Sequence, residues 1–137
     1  YGPPGIAYVY LNYGLHSLVN AVTEADGWPA AVLLRALEPA DGIPLMGRRR
    51  AGSAKRPSDL LVDDLCRGPG NLTKALGITL ADNGFDLTGG ALRIEDRTGP
   101  ARPVAWSRRI GITVGVERQL RAIAADSPAV SRPRGRL

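Results

Sequence analysis

The chain has 137 residues, enough for one domain with a real core and too few for two large ones. Its 44% hydrophobic and 23% charged content are ordinary globular values and exclude wholesale disorder. A net charge of +5 and a pI near 10.0 favour an anionic partner, nucleic acid or a membrane surface, but a mildly basic soluble surface accounts for the same charge equally well.

Single Cys66 excludes an internal disulfide and is expected to be a buried, inert thiol. With His16 the only histidine, the chain holds no Cys/His set for zinc and no paired-histidine mechanism. No apolar run approaches membrane-spanning length and no signal-peptide pattern is present. The expected location is intracellular, in the cytoplasm or nucleoid if the source is bacterial.

In chain order, Gly2-Pro3-Pro4-Gly5 is a turn, and residues 6–10 alternate aliphatic and aromatic side chains as a strand does. All the tyrosines lie here: Tyr1, Tyr8, Tyr10 and Tyr13. Strand alternation puts Tyr8 and Tyr10 on one face. Asn12-Tyr13-Gly14 is turn-like and residues 15–22 form a second strand, so the two make a hairpin with Tyr13 at its tip. This segment starts at residue 1 with no initiator Met, so a longer parent protein is expected.

Residues 30–37 form an apolar run broken by Arg35 and are expected to be a buried strand. A buried guanidinium is costly unless paired, so Arg35 belongs either at a solvated cleft or against a carboxylate. Residues 47–57 are the densest positive patch, a loop or frayed helix. Ser58 is placed to cap a short amphipathic helix through Leu60, Leu61 and Leu65. Pro69 and Gly77 bracket another short helix. Residues 82–90 are turn-rich, and strands are expected at 92–95 and 104–116. Residues 116–125 are ambiguous, with helical spacing of Val116, Leu120 and Ile123 and a helix-favouring alanine content. Residues 132–137 are expected to be a disordered basic tail. These elements predict an α+β class.

Five segments recur together: Gly2-Pro3-Pro4-Gly5 with Tyr8, Tyr10, Tyr13 and Asn20; residues 32–39 around Arg35; residues 65–78 around Arg67-Gly68-Pro69-Gly70; Arg109-Ile110-Gly111-Ile112; and residues 127–132. In this order and spacing they resemble the alkyladenine DNA glycosylases, also called 3-methyladenine or methylpurine DNA glycosylases. Each segment alone is weak; the ordered set is specific and covers residues 1–131 as one partial domain.

The resemblance implies a curved, mostly antiparallel sheet with a hairpin protruding into the DNA minor groove. It implies a monofunctional hydrolase that flips alkylated or deaminated purines out of duplex DNA and cleaves the N-glycosidic bond. Tyr13 matches the wedge that fills the vacated stack, and Tyr10 the ring that stacks on the flipped base. Asn20 matches the residue that disfavours guanine. Arg35 and the backbone carbonyl of Val130 match groups that position the attacking water. Tyr1 and Tyr8 are left with structural roles. No metal or organic cofactor is implied, and the enzyme is expected to act as a monomer on double-stranded DNA without a membrane.

The family's general base is a glutamate in a Glu-x-Glu-Ala-Tyr motif upstream of the hairpin, and these residues lack it. Glu38, Glu24, Asp26 and His16 are not replacements. Hydrolysis by this chain is therefore expected to be impaired, with a non-catalytic damaged-DNA-binding remnant as the alternative. Gln119-Leu120-Arg121-Ala122-Ile123-Ala124 replaces the family's more aromatic segment, which puts strand pairing there in doubt. A small RNA-binding domain is a third reading and leaves the ordered motifs unexplained.

Overall fold

A computed structural model describes residues 2–52, 56–96 and 99–130. Tyr1, residues 53–55 of the basic segment and the tail at 132–137 lie outside them. Strands β1 (Ala7–Asn12) and β2 (His16–Val22) pair antiparallel from Ala7 opposite Ala21 to Asn12 opposite His16. Strand β3 (Ala31–Leu33) adds to the far side of β2, giving the order β1-β2-β3. Alternation sends Ala7, Val9 and Val19 to one face, where they are buried. The outer edge of β1 is occupied by residues 83–86: the Val9 N–H donates to Asn83 Oδ1 at 2.9 Å and the Ala7 N–H to the Phe85 carbonyl at 2.7 Å.

Against the buried face lies α2 (Pro69–Leu76), and α1 (Ile43–Ala51) packs on α2. Proline opens α2, where the first helical N–H has no partner to lose. Gly77 closes it at φ 75°, a left-handed stop that glycine adopts without steric cost. Leu72 and Ala75 of α2 join Val9, Val19, Leu65, Ile78 and Leu87 in the core. Cys66 belongs to it too at 1% exposure, and burial pushes its thiol pKa up, as suits an inert side chain. One polar group enters this packing. Thr73, 2% exposed, donates its hydroxyl to the Ser17 carbonyl of β2 at 2.6 Å.

Strands β4 (Val104–Ser107) and β5 (Arg121–Ala124) form a separate antiparallel ribbon, with Val104 opposite Ala124 and Ser107 opposite Arg121. The α+β class and the hairpin hold. Several element expectations do not. The helix after Ser58 is replaced by two single 3-10 turns, Pro57–Asp59 and Val62–Asp64, separated by extended Leu60 and Leu61. Leu61 is 72% exposed, so no apolar face is there to bury and sustain a helix. Residues 92–95 form no strand. The strand expected over 104–116 stops at Ser107, before the left-handed glycines Gly111 and Gly115. Residues 121–124 are strand, because β4 offers a backbone partner that outweighs a weak local helix preference. Residues 30–37 are a three-residue edge strand, not a buried one, with Val32 55% exposed.

Beyond β3 the chain stays extended, and Ala36 bridges Arg67. The Arg67 guanidinium, ion-paired with Asp64 at 2.5 Å, donates to the Pro128 carbonyl at 2.6 Å. Arg102 makes a second tie, pairing with Glu38 at 2.8 Å and with Asp126 at 2.8 Å. Both carboxylates hold the Arg102 charge and raise its pKa further. Residues 35–38 and 126–128 are thus linked by two arginines distant in sequence.

Two outcomes follow from these contacts. Thr73→Val removes the donor to the Ser17 carbonyl and should lower unfolding free energy by about 1–3 kcal/mol, read from urea titration. An unchanged midpoint would mean that carbonyl finds another donor. Arg102→Ala should speed amide exchange at Ser127 and Ala129 while leaving β2 amides as they were. Equal exchange in both variants would remove the second tie from the account.

Candidate functional site

The hairpin tip turns through Asn12 to Leu15, where the Leu15 N–H donates to the Asn12 carbonyl at 3.1 Å. Both central residues have positive φ, Tyr13 at 50° and Gly14 at 67°, the sign pattern of a type I′ hairpin turn. Gly14 adopts it freely. Tyr13 is the only described non-glycine residue with positive φ, a conformation that costs on the order of 1–3 kcal/mol. Its ring is 91% exposed, so no packing offsets that cost. Leu15 beside it is 78% exposed. A strained aromatic and a bare leucine at the tip form an apolar point aimed at solvent.

Behind the tip, the outward face of the hairpin carries Tyr8 and Tyr10, stacked with ring centroids 5.4 Å apart at 25°. Opposite them on β2 sits Asn20, 8% exposed, whose Nδ2 donates to the Tyr8 carbonyl at 3.1 Å. The register explains this grouping: Tyr8 pairs with Asn20 and Tyr10 with Leu18, so all share one face. An aromatic platform with a fixed amide beside it can take a flat heterocycle.

Arg35 lies half-buried just past β3, its Nη2 donating to the Ile110 carbonyl at 3.4 Å. Among the described residues no carboxylate is within ion-pair distance of it. Of the two environments left open for Arg35, the unpaired one is found. Burial first, then the charges of Arg121 and Arg109, press its pKa below the ordinary guanidinium value. It remains charged, since guanidinium is not deprotonated in proteins. A half-buried guanidinium with no carboxylate of its own, pressed by two neighbouring cationic groups, creates a demand for an anion or a polarised water. Val130 sits at the end of the segment that Arg67 and Arg102 tie to residues 35–38, following the buried Ala129.

Sequence reasoning missed Arg102 and Leu15, and read Arg67 only as part of a motif, without its tie to Pro128. Nothing in the sequence marks Arg102, because its partners are 64 and 24 residues away. Leu15 was legible as an apolar residue at a turn, where none is needed for folding. The basic segment also divides. Arg50 is internal, donating to the Leu65 carbonyl at 2.9 Å and to Asn71 Oδ1 at 2.5 Å, whereas Arg48 and Arg49 face outward. Glu38 is engaged by Arg102. Among the described residues no group of acidic, histidine and cysteine side chains is arranged to hold a metal, and no helix is long and apolar enough to cross a membrane.

Comparison with known proteins converges on one family. The model for methylpurine-DNA glycosylase matches residues 1–128. A protein of Bradyrhizobium diazoefficiens is 48% identical over 97% of this chain, and one of Rhodopseudomonas palustris is 45% identical over 97%. A third, from Rubrobacter xylanophilus, is 46% identical over 85%. All three are provisionally named 3-methyladenine DNA glycosylase. The chain spans 57–62% of the length of these relatives. On the family match and these identities, the chain belongs to the methylpurine-DNA glycosylase family.

Proposed function

We propose that this chain carries the DNA-entry and base-extrusion half of a base-excision glycosylase acting on alkylated or deaminated purines. The observation that carries the reading is Tyr13, an exposed aromatic held in a strained conformation at a hairpin tip, directly ahead of a stacked tyrosine face. Backbone strain that packing does not offset points toward use rather than stability.

Extrusion of a base costs a few kcal/mol of lost stacking and pairing. In this reading Tyr13, with Leu15 beside it, enters the gap and replaces the stacking that the departing base gave up. Tyr10 receives the flipped purine on its ring. An alkylated purine is electron-poor and often cationic, so a tyrosine face attracts it by up to about 2 kcal/mol once water is excluded. Asn20 meets the purine edge and disfavours guanine. Arg35 and the Val130 carbonyl hold the attacking water, the arginine also shielding charge on the neighbouring phosphate. No metal or organic cofactor takes part.

Deprotonation of that water needs a base, and the Glu-x-Glu-Ala-Tyr motif does not occur within these residues. Loss of a placed general base forfeits a factor of about 10² to 10⁴. These residues alone are expected to bind and part damaged duplex while excising slowly. That combination also fits a non-catalytic remnant that binds damaged DNA without cutting it.

Single-turnover excision on a hypoxanthine-containing duplex should run about 10² to 10⁴ slower than with a relative that has the motif. Excision at the relative's rate would show that another group supplies the base. Tyr13→Ala should weaken binding to lesion duplex by about 5- to 150-fold, the loss of one stacked ring, with little change on intact duplex at matched salt. Unchanged lesion binding would remove the wedge assignment.

A further inference from the structure

The base of the hairpin is flanked by an open groove of about 370 Å³ whose lining includes Leu15, His16, Arg49, Gly70, Lys74 and Thr79. It brings together side chains from β2, α1 and α2 that are far apart in sequence. His16, Arg49 and Lys74 all carry nitrogen donors, and among the described residues none has a carboxylate within ion-pair distance. The nearest acid in sequence, Asp82, is engaged with the Thr79 backbone N–H at 2.7 Å.

Two glycines make room for this set. A side chain at Gly77 would place its Cβ 2.9 Å from Arg49 Cζ, and one at Gly70 would place it 3.2 Å from His16 Cβ. Arg49 is further fixed by donating to the Ala75 carbonyl at 3.2 Å, near the C-terminal end of α2. Lys74 reaches the groove from the same helix and is exposed. The groove therefore presents three nitrogen donors, one of them hydrogen-bonded to the helix, and no acid among its lining residues.

We infer that this groove seats one backbone phosphate of the DNA strand lying alongside the hairpin. A single phosphate accepts from several donors at once and binds them most strongly when they are charged. A hairpin entering a minor groove about 6 Å wide must pass between two sugar–phosphate backbones. The groove reaches the hairpin tip through Leu15, so one of the two backbones would pass beside it. A contact there fixes the register of Tyr13 on the duplex without reading sequence. The inference rests on the DNA-entry reading above and adds the place where the backbone is held.

The test measures binding of the full chain to a duplex containing a tetrahydrofuran abasic site, across a range of salt concentrations. Lys74→Ala should reduce the slope of log affinity against log salt by about 0.9, one phosphate contact. It should weaken lesion and intact duplex by the same factor. Arg118→Ala, the same charge change outside the groove, should leave the slope as it was. Duplexes with one methylphosphonate, scanned through the phosphates flanking the lesion, should contain one position that weakens the wild type and not Lys74→Ala. Circular dichroism confirms the fold of each variant. An unchanged slope for Lys74→Ala, or no such position in the scan, overturns the groove while leaving the wedge intact. A wild type without lesion preference, whose slope still falls with Lys74→Ala, overturns the glycosylase reading and keeps the phosphate seat.

Discussion

The outward-facing parts of this chain depend on one contact, the packing of α2 against β2. A free two-stranded hairpin is marginal in water. Here β2 has Val19 in the core, with Leu72 and Ala75 of α2 in the same cluster, while Thr73 ties the Ser17 carbonyl to the helix. Each fully buried aliphatic side chain contributes about 1.5–3 kcal/mol. A hydroxyl placed inside such a layer sets the position of the strand along the helix, which apolar contacts alone leave less defined. The tip can then hold Tyr13 in a conformation that a loose hairpin would relax.

That support also explains where the aromatic residues are. The core is built from aliphatic side chains, and the tyrosines Tyr8, Tyr10 and Tyr13 lie on the hairpin, with Tyr8 and Tyr13 exposed. Large rings ordinarily supply much of a core's burial. A fold that keeps these tyrosines on one hairpin gives up that burial and gains a rigid, amphipathic surface. The two pieces of that surface differ. Tyr8 and Tyr10 are stacked on a regular strand face, so their spacing is set by the pleat. Tyr13 is set by the turn alone, so its direction is fixed by Asn12 and Gly14 rather than by neighbours.

Legibility in the sequence followed the range of the cause. The hairpin, its tip and helix α2 were readable because period-2 alternation, Asn12-Tyr13-Gly14, Pro69 and Gly77 act within a few residues. Residues 121–124 were not, since their strand state depends on β4, which begins 17 residues earlier at Val104. The apolar run at 30–37 promised a buried strand because composition shows that a segment is greasy and not which sheet position it takes. Among the proposed site residues, Tyr10, Tyr13, Asn20, Arg35 and Val130 were named from ordered motifs. Arg102 lies in none of those motifs, and Arg67 lies in one without its role being readable, because each ties the Arg35 and Val130 segments through partners that only the fold brings near.

Net charge of +5 said little about partners, and the distribution of pairing says more. Arg56, Arg67, Arg93, Arg102 and Arg118 each lie beside a carboxylate, so their charge is locally cancelled. Arg35, Arg49, Lys74 and Arg109 have no such neighbour among the described residues. Arg49 and Lys74 stand at the hairpin base, and Arg35 and Arg109 are close enough for their charges to interact. Paired cations contribute to a field only at short range, whereas unpaired ones act out to a Debye length of about 8 Å at physiological salt. Among the described residues, unpaired cations thus stand beside the hairpin base and along the Arg35 segment, where an approaching polyanion would meet them. On the DNA-entry proposal, an evenly basic surface would hold DNA in any orientation, whereas these unpaired cations would draw it toward the hairpin that carries the aromatic tip.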